Sequence, residues 1–304
     1  MALRLEHITK CYGKQKALDD IGFQLKKGEI CGFLGPNGAG KSTTMKIATG
    51  YLRDYAGKVT LNGNDIRHTP LVVKAQIGYL PEHNPLYPEM YIREYLEYAA
   101  RLYRVPHPRQ EVDRIIALTG LLPEINKKIG HLSKGFRQRV GLAQVLIHDP
   151  QVLILDEPMT GLDPNQLEEI RNLILQAGQE KTVLLSTHVM QEVEAICNRV
   201  IIIDKGKIVA DEPIEKLHTL KANQQLIFVR FAPGSDSNWL RQSSFQARPH
   251  TADSWYIDAG KGGDPRSALF YEAASRHCPI IEMRTEEYHL EEIFREVTHR
   301  PALP

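Results

Sequence analysis

A chain of 304 residues is long enough for two domains, and 42% hydrophobic with 25% charged residues is the composition of an ordinary soluble globular protein. Its 38 basic and 37 acidic side chains leave a net charge of +1, which supplies no electrostatic reason to expect nucleic acid as a partner. The four cysteines, Cys11, Cys31, Cys197 and Cys278, form no C-x-x-C pair, which argues against a metal site or a disulfide framework and fits a reducing cytosol.

The first residues, Met-Ala-Leu-Arg-Leu-Glu-His, contain no apolar signal region, and no run approaches the ~18 apolar residues of a membrane helix. Work at a membrane is therefore expected to need another chain for the spanning. Ala2 to Ile8 alternates apolar and polar residues, as an edge or half-buried strand does. Tyr12-Gly13 opens a turn, and Ala17 to Leu25 resumes strand character. Glu29 to Leu34 reads as a short buried strand. It runs into Gly35-Pro36-Asn37-Gly38-Ala39-Gly40-Lys41-Ser42-Thr43, which fits the phosphate-loop pattern G-x-x-x-x-G-K-[ST] in full. Thr43 to Thr49 then reads as the first turns of a helix that Gly50 stops. Gly57 to Gly63 is a strand ending at an Asn-Gly turn, and Gln76 to Leu80 another, closed by Pro81.

Helical spacing takes over from there. Ile92, Tyr95, Leu96, Ala99 and Leu102 mark one face, and Val112, Ile115, Ile116 and Thr119 a second, after a start at Pro108. A third helix begins near Gly135 and carries Phe136, Val140, Ala143 and Ile147. Strands return as Val152 to Leu155 and Thr182 to Leu185, apolar on both faces as in a parallel sheet covered by helices, with a helix between them. Arg199 to Ile203 and Lys207 to Ala210 read as a closing hairpin turning at Lys-Gly. The expectation is an α/β phosphate-loop nucleoside triphosphatase core over residues 1–215, with a helical subdomain at about 83–150. From about Leu220 to residue 304 the texture is that of a small accessory α+β domain. Strands are expected at Leu226 to Phe231, Ser254 to Asp258 and Pro279 to Met283, and helices at Pro265 to His277 and over Leu290, Ile293, Phe294 and Val297. A low-order Ser/Gly-rich stretch separates the first two strands.

Strand, glycine loop and helix together make an anion site: backbone N–H groups turn inward on phosphate oxygens, and the helix N-terminus adds partial positive charge. Lys41 is placed to reach the β- and γ-phosphates, and the Ser42 hydroxyl to ligate Mg²⁺. Val152 to Pro158 is an apolar strand ending in two carboxylates. Asp156 at its tip is expected to hold Mg²⁺, directly or through water, and Glu157 to orient or deprotonate an attacking water. Leu132-Ser133-Lys134-Gly135-Phe136-Arg-Gln-Arg139 is by itself a helix cap, with Ser133 near the start and Gly135 allowing close approach.

With this segment lying just before the carboxylate strand, the chain resembles the ATP-binding subunits of ABC transporters. Leu132 to Arg139 is similar to the family's signature motif, whose helix start binds the γ-phosphate of ATP held by the opposite subunit. The resemblance implies further roles. Tyr12 stands where the family stacks an aromatic ring on adenine. Gly161-Leu-Asp163-Pro164 is similar to the loop with which two subunits touch, although Asp163 is equally a helix cap before Pro164. Ser186-Thr-His188 is similar to the switch that contacts γ-phosphate through His188. The similarity covers about residues 2–215, with two departures. Lys134 and Phe136 stand where the family usually has Gly and Gln. Glu82, in Tyr79-Leu-Pro-Glu82, stands where it usually has a glutamine that senses Mg²⁺ and the membrane subunit; Glu82 either ligates the metal or turns to solvent after Pro81.

Gly78 to Tyr87 and Met90 to Leu96 are also similar to the ATP-binding subunit associated with bacterial gliding motility, and Leu290 to Val297 to the end of exporter-type cassettes. What these resemblances imply is an ATPase on the cytoplasmic face of the inner membrane. It would close head to tail with a second copy or a relative and drive an exporter-type permease. The alternatives are a soluble ABC-type ATPase in translation or DNA repair, disfavoured by one cassette without heptads or charge excess, and a nucleotide sensor without turnover, disfavoured by the presence of Glu157 and His188.

Overall fold

The computed structural model describes residues 2–216, 226–251, 253–258 and 264–286. Its contacts divide the chain into two compact units, residues 1–213 and 214–304. The first unit runs β1 (Leu3–Tyr12), β2 (Gln15–Leu25), β3 (Ile30–Leu34), α1 (Lys41–Ala48), β4 (Ala56–Leu61), β5 (Asn64–Asp65), α2 (Pro70–Lys74), β6 (Ile77–Leu80), α3 (Ile92–Leu102), α4 (Pro108–Leu118), α5 (Lys134–Leu146), β7 (Val152–Asp156), α6 (Pro164–Gly178), β8 (Thr182–Thr187), α7 (Met190–Ile196), β9 (Arg199–Asp204) and β10 (Lys207–Pro213).

Six strands form one sheet in the order β10-β9-β3-β8-β7-β6. It is parallel throughout except for the antiparallel edge strand β10. Every residue of β3, β7 and β8 is buried, which is why these strands read as continuous apolar runs. A second, antiparallel sheet has the order β2-β1-β4-β5. One core joins the two sheets through α1: Leu3, Leu5 and Ile8 of β1 share a cluster with Met45 and Ile47 of α1 and with Phe33, Ile154 and Ile201 of the parallel sheet. Each fully buried Val, Leu, Ile or Phe contributes roughly 1.5–3 kcal/mol. A strained backbone position costs ~1–3 kcal/mol. Three fully buried central strands can therefore carry strained loops at their C-terminal ends, which is where the site lies.

β1 is longer than its alternation suggests. His7 takes φ 53° and the register with β2 shifts after Leu5, Ile8 and Lys10, so the in–out pattern breaks while the pairing continues to Tyr12↔Gln15. The helical subdomain is α3, α4 and α5. On α3 the buried stripe passes through Ala100, and Leu102, the last residue of the helix, is 68% exposed. Thr119 is buried as expected but stands one residue beyond α4, its hydroxyl donating to the Ile115 carbonyl at 2.7 Å. The short helices α2 and α7 were not expected; five and seven residues are too few to establish a helical period.

The second unit contains β11 (Leu226–Phe231), β12 (Gln246–Pro249), β13 (Ser254–Asp258), α8 (Arg266–Ser275) and β14 (Ile280–Glu286). Its antiparallel sheet has the order β12-β13-β11-β14. Ile227, Val229, Phe231, Trp255 and Ile257 pack with Leu269 and Ala273 of α8. The stretch expected to be low in order instead carries β12 and a 3₁₀ turn over Asn238–Gln242. The ring nitrogen of Trp255 donates to Ser237 at 2.8 Å, anchoring that stretch by a contact far off in sequence. The helix expected over Leu290 to Val297 lies outside the described residues.

Candidate functional site

β3, β8 and β7 are neighbours in the parallel sheet, in register at Leu34↔Thr187 and Asp156↔Ser186. Their C-terminal ends therefore open side by side. Leaving β3, the chain turns through Gly35 to Gly40 into α1. A Cβ on Gly35 would lie 2.4 Å from the Ile203 carbonyl oxygen, and one on Gly40, whose φ is 113°, 2.8 Å from that of Ala17, so glycine is required at both. No side chain caps α1 and its first turn holds no acid, so its forward amides keep their partial positive charge. Asn37, Gly38 and Ala39 complete the loop. Ser42 and Thr43 are half-buried in the first turn of α1.

Lys41 is buried and folds back on the loop. Its ammonium donates to the carbonyls of Gly35 (2.7 Å) and Pro36 (3.3 Å) and lies 3.4 Å from Glu157 Oε1. Asp156, at the tip of β7, is 1% exposed and accepts from the Ser186 hydroxyl at 2.5 Å. The same Ser186 oxygen accepts from the Glu157 amide at 2.9 Å, so one hydroxyl ties both carboxylate positions to β8. Glu157 takes φ 50°, a left-handed angle rarely held by a residue with a side chain. Its carboxylate accepts from Thr160 Oγ1 (2.8 Å) and is 2.9 Å from His188 Nδ1. A buried charge is tolerable only when paired and hydrogen-bonded, and Glu157 meets both conditions through Lys41, His188 and Thr160.

The loop after β8 is held from behind. Thr187 Oγ1 donates to the buried Glu192 carboxylate of α7 at 2.5 Å and accepts from the Val189 amide at 3.0 Å. Burial pushes the Glu192 carboxyl above its ordinary range, against the Thr187 bond that favours the anion. Sequence reasoning gave no role to Ser186, Thr160 or Glu192. The one available signal is an acid placed with Ile196 at i+4 on an apolar helix face.

The structure thus brings Lys41, Asp156, Glu157 and His188 together. The other candidates stand apart from that cluster. Tyr12 ends β1, half exposed, with the buried Lys10 ammonium 5.0 Å from its ring centroid and paired to Asp54 at 2.7 Å. Glu82 is exposed in the loop after β6. The Tyr79 phenol on β6, the strand beside β7, is pushed up chiefly by burial and then by Asp156. Ser133 caps α5, accepting from the Phe136 amide at 3.3 Å, and Asp163 caps α6, accepting from Gln166 at 2.9 Å. Gly135 is pressed on Gln166, where a Cβ would lie 2.5 Å from the amide carbon. No hydrogen bond among the described residues joins Ser133 or Asp163 to Lys41, Glu157 or His188. Gln138 of α5 donates to the Pro158 carbonyl at 2.8 Å, linking the capped helix to the segment after Glu157.

No three His, Cys, Asp or Glu side chains among the described residues form a metal cage. The oxygens of Asp156 and Ser42 are the hard donors suited to Mg²⁺, which is commonly held by one or two protein oxygens together with substrate phosphates. Among the described residues no helix is long and apolar enough to cross a membrane.

Residues 18–160 match the model of the family described as ABC transporter. The bacitracin transport ATP-binding protein of Bacillus licheniformis is 34% identical over 245 residues, covering 80% of this chain and 79% of that one. The linearmycin resistance ATP-binding protein of Bacillus subtilis is 30% identical over 309 residues, covering 98% of both. Among solved structures, a dimeric ATP-binding cassette in a post-hydrolysis state, bound to ADP and phosphate, superposes with a TM-score of 0.64 at 25% identity, over 70% of this chain and 98% of that one.

Proposed function

The chain belongs to the ATP-binding subunits of ABC transporters and is an ABC-type ATPase; from that premise we propose that it drives an exporter-type membrane permease by ATP-dependent closure of two cassettes. The observation that carries this reading is the cluster of buried Lys41, Asp156 and Glu157 with the half-exposed His188 at the mouth of the phosphate loop. It sets a cation for phosphate, an oxygen donor for metal and a hydrogen-bonded carboxylate–histidine pair side by side.

In this reading Tyr12 stacks on adenine, and the amides from Gly38 to Thr43 surround the β-phosphate. Lys41 exchanges the Gly35 and Pro36 carbonyls for phosphate oxygens. Ser42 and Asp156 would hold Mg²⁺, with Glu82 beside them, and the ion would supply neutralisation of phosphate charge. Glu157 takes the proton of the attacking water, and His188 on its Oε2 keeps that carboxylate oriented toward the γ-phosphate. Ser133 and Gly135 of a second cassette complete the site, and Asp163 lines the contact between the two. Because phosphoryl transfer depends on positioning and charge stabilisation, an open single cassette is a poor catalyst. Closure reaches the permease through the helical subdomain, on the cytoplasmic face of the membrane. Residues 220–304 serve as an accessory, regulatory domain. The residues from Gly78 to Leu96 carry a narrower form of the proposal, service in gliding motility; deleting the chain would then abolish gliding, and unaltered gliding would remove that form alone.

The test is steady-state hydrolysis. Glu157→Gln keeps shape and hydrogen bonding but removes the base. It should lower turnover by about 10²-fold or more while nucleotide binding persists. Native turnover in that variant would remove Glu157 from the mechanism.

A further inference from the structure

We infer that Glu192 is a positioning residue for hydrolysis, acting through Thr187 on the backbone that carries His188. The inference rests on the reading above, in which His188 and Glu157 serve the chemistry. The His188 side chain is 42% exposed, and the contact that orients it is the one from Nδ1 to Glu157. A half-exposed ring on one contact needs its backbone held, and the residues on either side of His188 are held. Thr187 is fully buried and its hydroxyl has a single proton. That proton goes to Glu192 Oε2, which turns the oxygen's lone pair to the Val189 amide. Thr187 itself is held in the ladder beside Leu34, so the flank that hangs on its hydroxyl is Val189, and Glu192 sets that hydroxyl's orientation.

Glu192 is itself 5% exposed, in the first turn of α7, and the charged groups acting on it are Glu157, His188 and Arg171 of α6. An apolar side chain would suit that burial better than a carboxylate. A glutamate aimed at the residue before His188 is what a hydrogen-bonding duty requires. An apolar residue at 192 would free the Thr187 hydroxyl, loosen Val189 and let the imidazole drift from Glu157.

The experiment uses the full chain, Mg²⁺ and ATP, and measures kcat and KM for Glu192→Leu, Glu192→Gln, Thr187→Val, His188→Ala and the double variant His188→Ala/Glu192→Leu. Displacement of a reacting group by about 1 Å costs ~10²-fold, so Glu192→Leu should lower kcat by roughly ten- to a hundredfold with KM for ATP little changed. Glu192→Gln retains an acceptor oxygen and should restore most of that loss, whereas Thr187→Val breaks the same link from its other end and should reproduce it. In the His188→Ala background Glu192→Leu should cost nothing more. Native kcat in Glu192→Leu or Thr187→Val, or an undiminished further loss in the double variant, overturns the inference. If His188→Ala itself turns over at the native rate, the reading of His188 fails and this inference with it. A slow His188→Ala beside a native Glu192→Leu removes Glu192 alone.

Discussion

At Glu157 the backbone holds a left-handed angle, and two elements 30 residues apart share its support through Ser186. The motif residues on this strand end were legible in the sequence because an apolar run sets where the carboxylates emerge. Their bridge was not, because nothing in the spacing of Asp156 and Ser186 tells that β7 and β8 lie adjacent in register. Gly40 is a direct case of backbone demand. Gly40→Ala combines φ 113° with a carbonyl 2.8 Å from the new methyl, and should destabilise the chain by more than ~1 kcal/mol. Chemical denaturation measures it, and unchanged stability would contradict the close approach. Glu82→Gln addresses the metal. A carboxylate near Asp156 and a triphosphate is repelled unless Mg²⁺ offsets it, so the variant should bind ATP better in chelator and depend less on Mg²⁺ for turnover. Superimposable Mg²⁺ titrations would place Glu82 outside the metal's surroundings. Glu192 adds a pH test of stability. Its folded proton affinity is raised by burial, so the cost of burying the anion is absent where both states are protonated, at low pH. That cost grows as pH rises through the unfolded and then the folded value. The melting temperature of Glu192→Gln relative to the native chain should therefore increase as the pH rises above about 4.5, and a difference independent of pH would contradict the assignment.

Among the elements, continuous apolar strands and long periodic helices were legible, and elements with neither pattern were not. β3, β7 and β8 are buried on both faces and stand out as apolar runs. α7 and β12, at seven and four residues, take their structure from contacts with distant residues. The start of α6 shows how one side chain can serve two readings. Asp163 accepts from the Gln166 amide, and losing such a cap typically costs ~1 kcal/mol. Asp163→Ala should lower the melting temperature by about 2–4 °C, and Asp163→Asn, which can cap equally well, by much less. Equal loss in both variants would show that the charge, and not the cap, stabilises α6. The start of α5 is tied more broadly, with Gly135 on Gln166, Lys134 over Gly161 and Gln138 on Pro158. Arg139 is also paired with Glu169 of α6 and lies over the Phe136 ring at 5.0 Å. Phe136, a departure from the family's usual glutamine, thus has a packing role that its motif position alone did not reveal.

For the molecule as a whole, the sequence carried the order of motifs and a parallel sheet covered by helices, while the strand order that assembles the cluster comes from the structure. It carried much less about surfaces. Of the tyrosines between Tyr79 and Tyr103, Tyr95 is buried and donates to Gln144 at 2.7 Å, and Tyr103 stacks on His148 at 3.9 Å. Tyr87 and Tyr91 remain half exposed. We expect these two to contact the permease, since tyrosine buries area while keeping a polar tip. Tyr87 also meets Tyr95 and Tyr98 edge to face at 5.8 and 6.0 Å. Each such pair is worth about 0.5–1.5 kcal/mol, so Tyr87→Ala should lose some stability as well as partner binding. Tyr91→Ala is the cleaner variant, because the bond from its backbone to Glu94 survives the substitution. It should weaken co-purification with the membrane partner and spare ATP binding, and full co-purification would exclude Tyr91 from the interface. The claim on which the rest depends is that ATP closes two cassettes, and sedimentation of the Glu157→Gln chain with and without ATP and Mg²⁺ tests it most directly. A monomer is expected without nucleotide and a persistent dimer with it, abolished by Ser133→Arg at the start of α5; a chain that binds ATP tightly and stays monomeric would contradict closure.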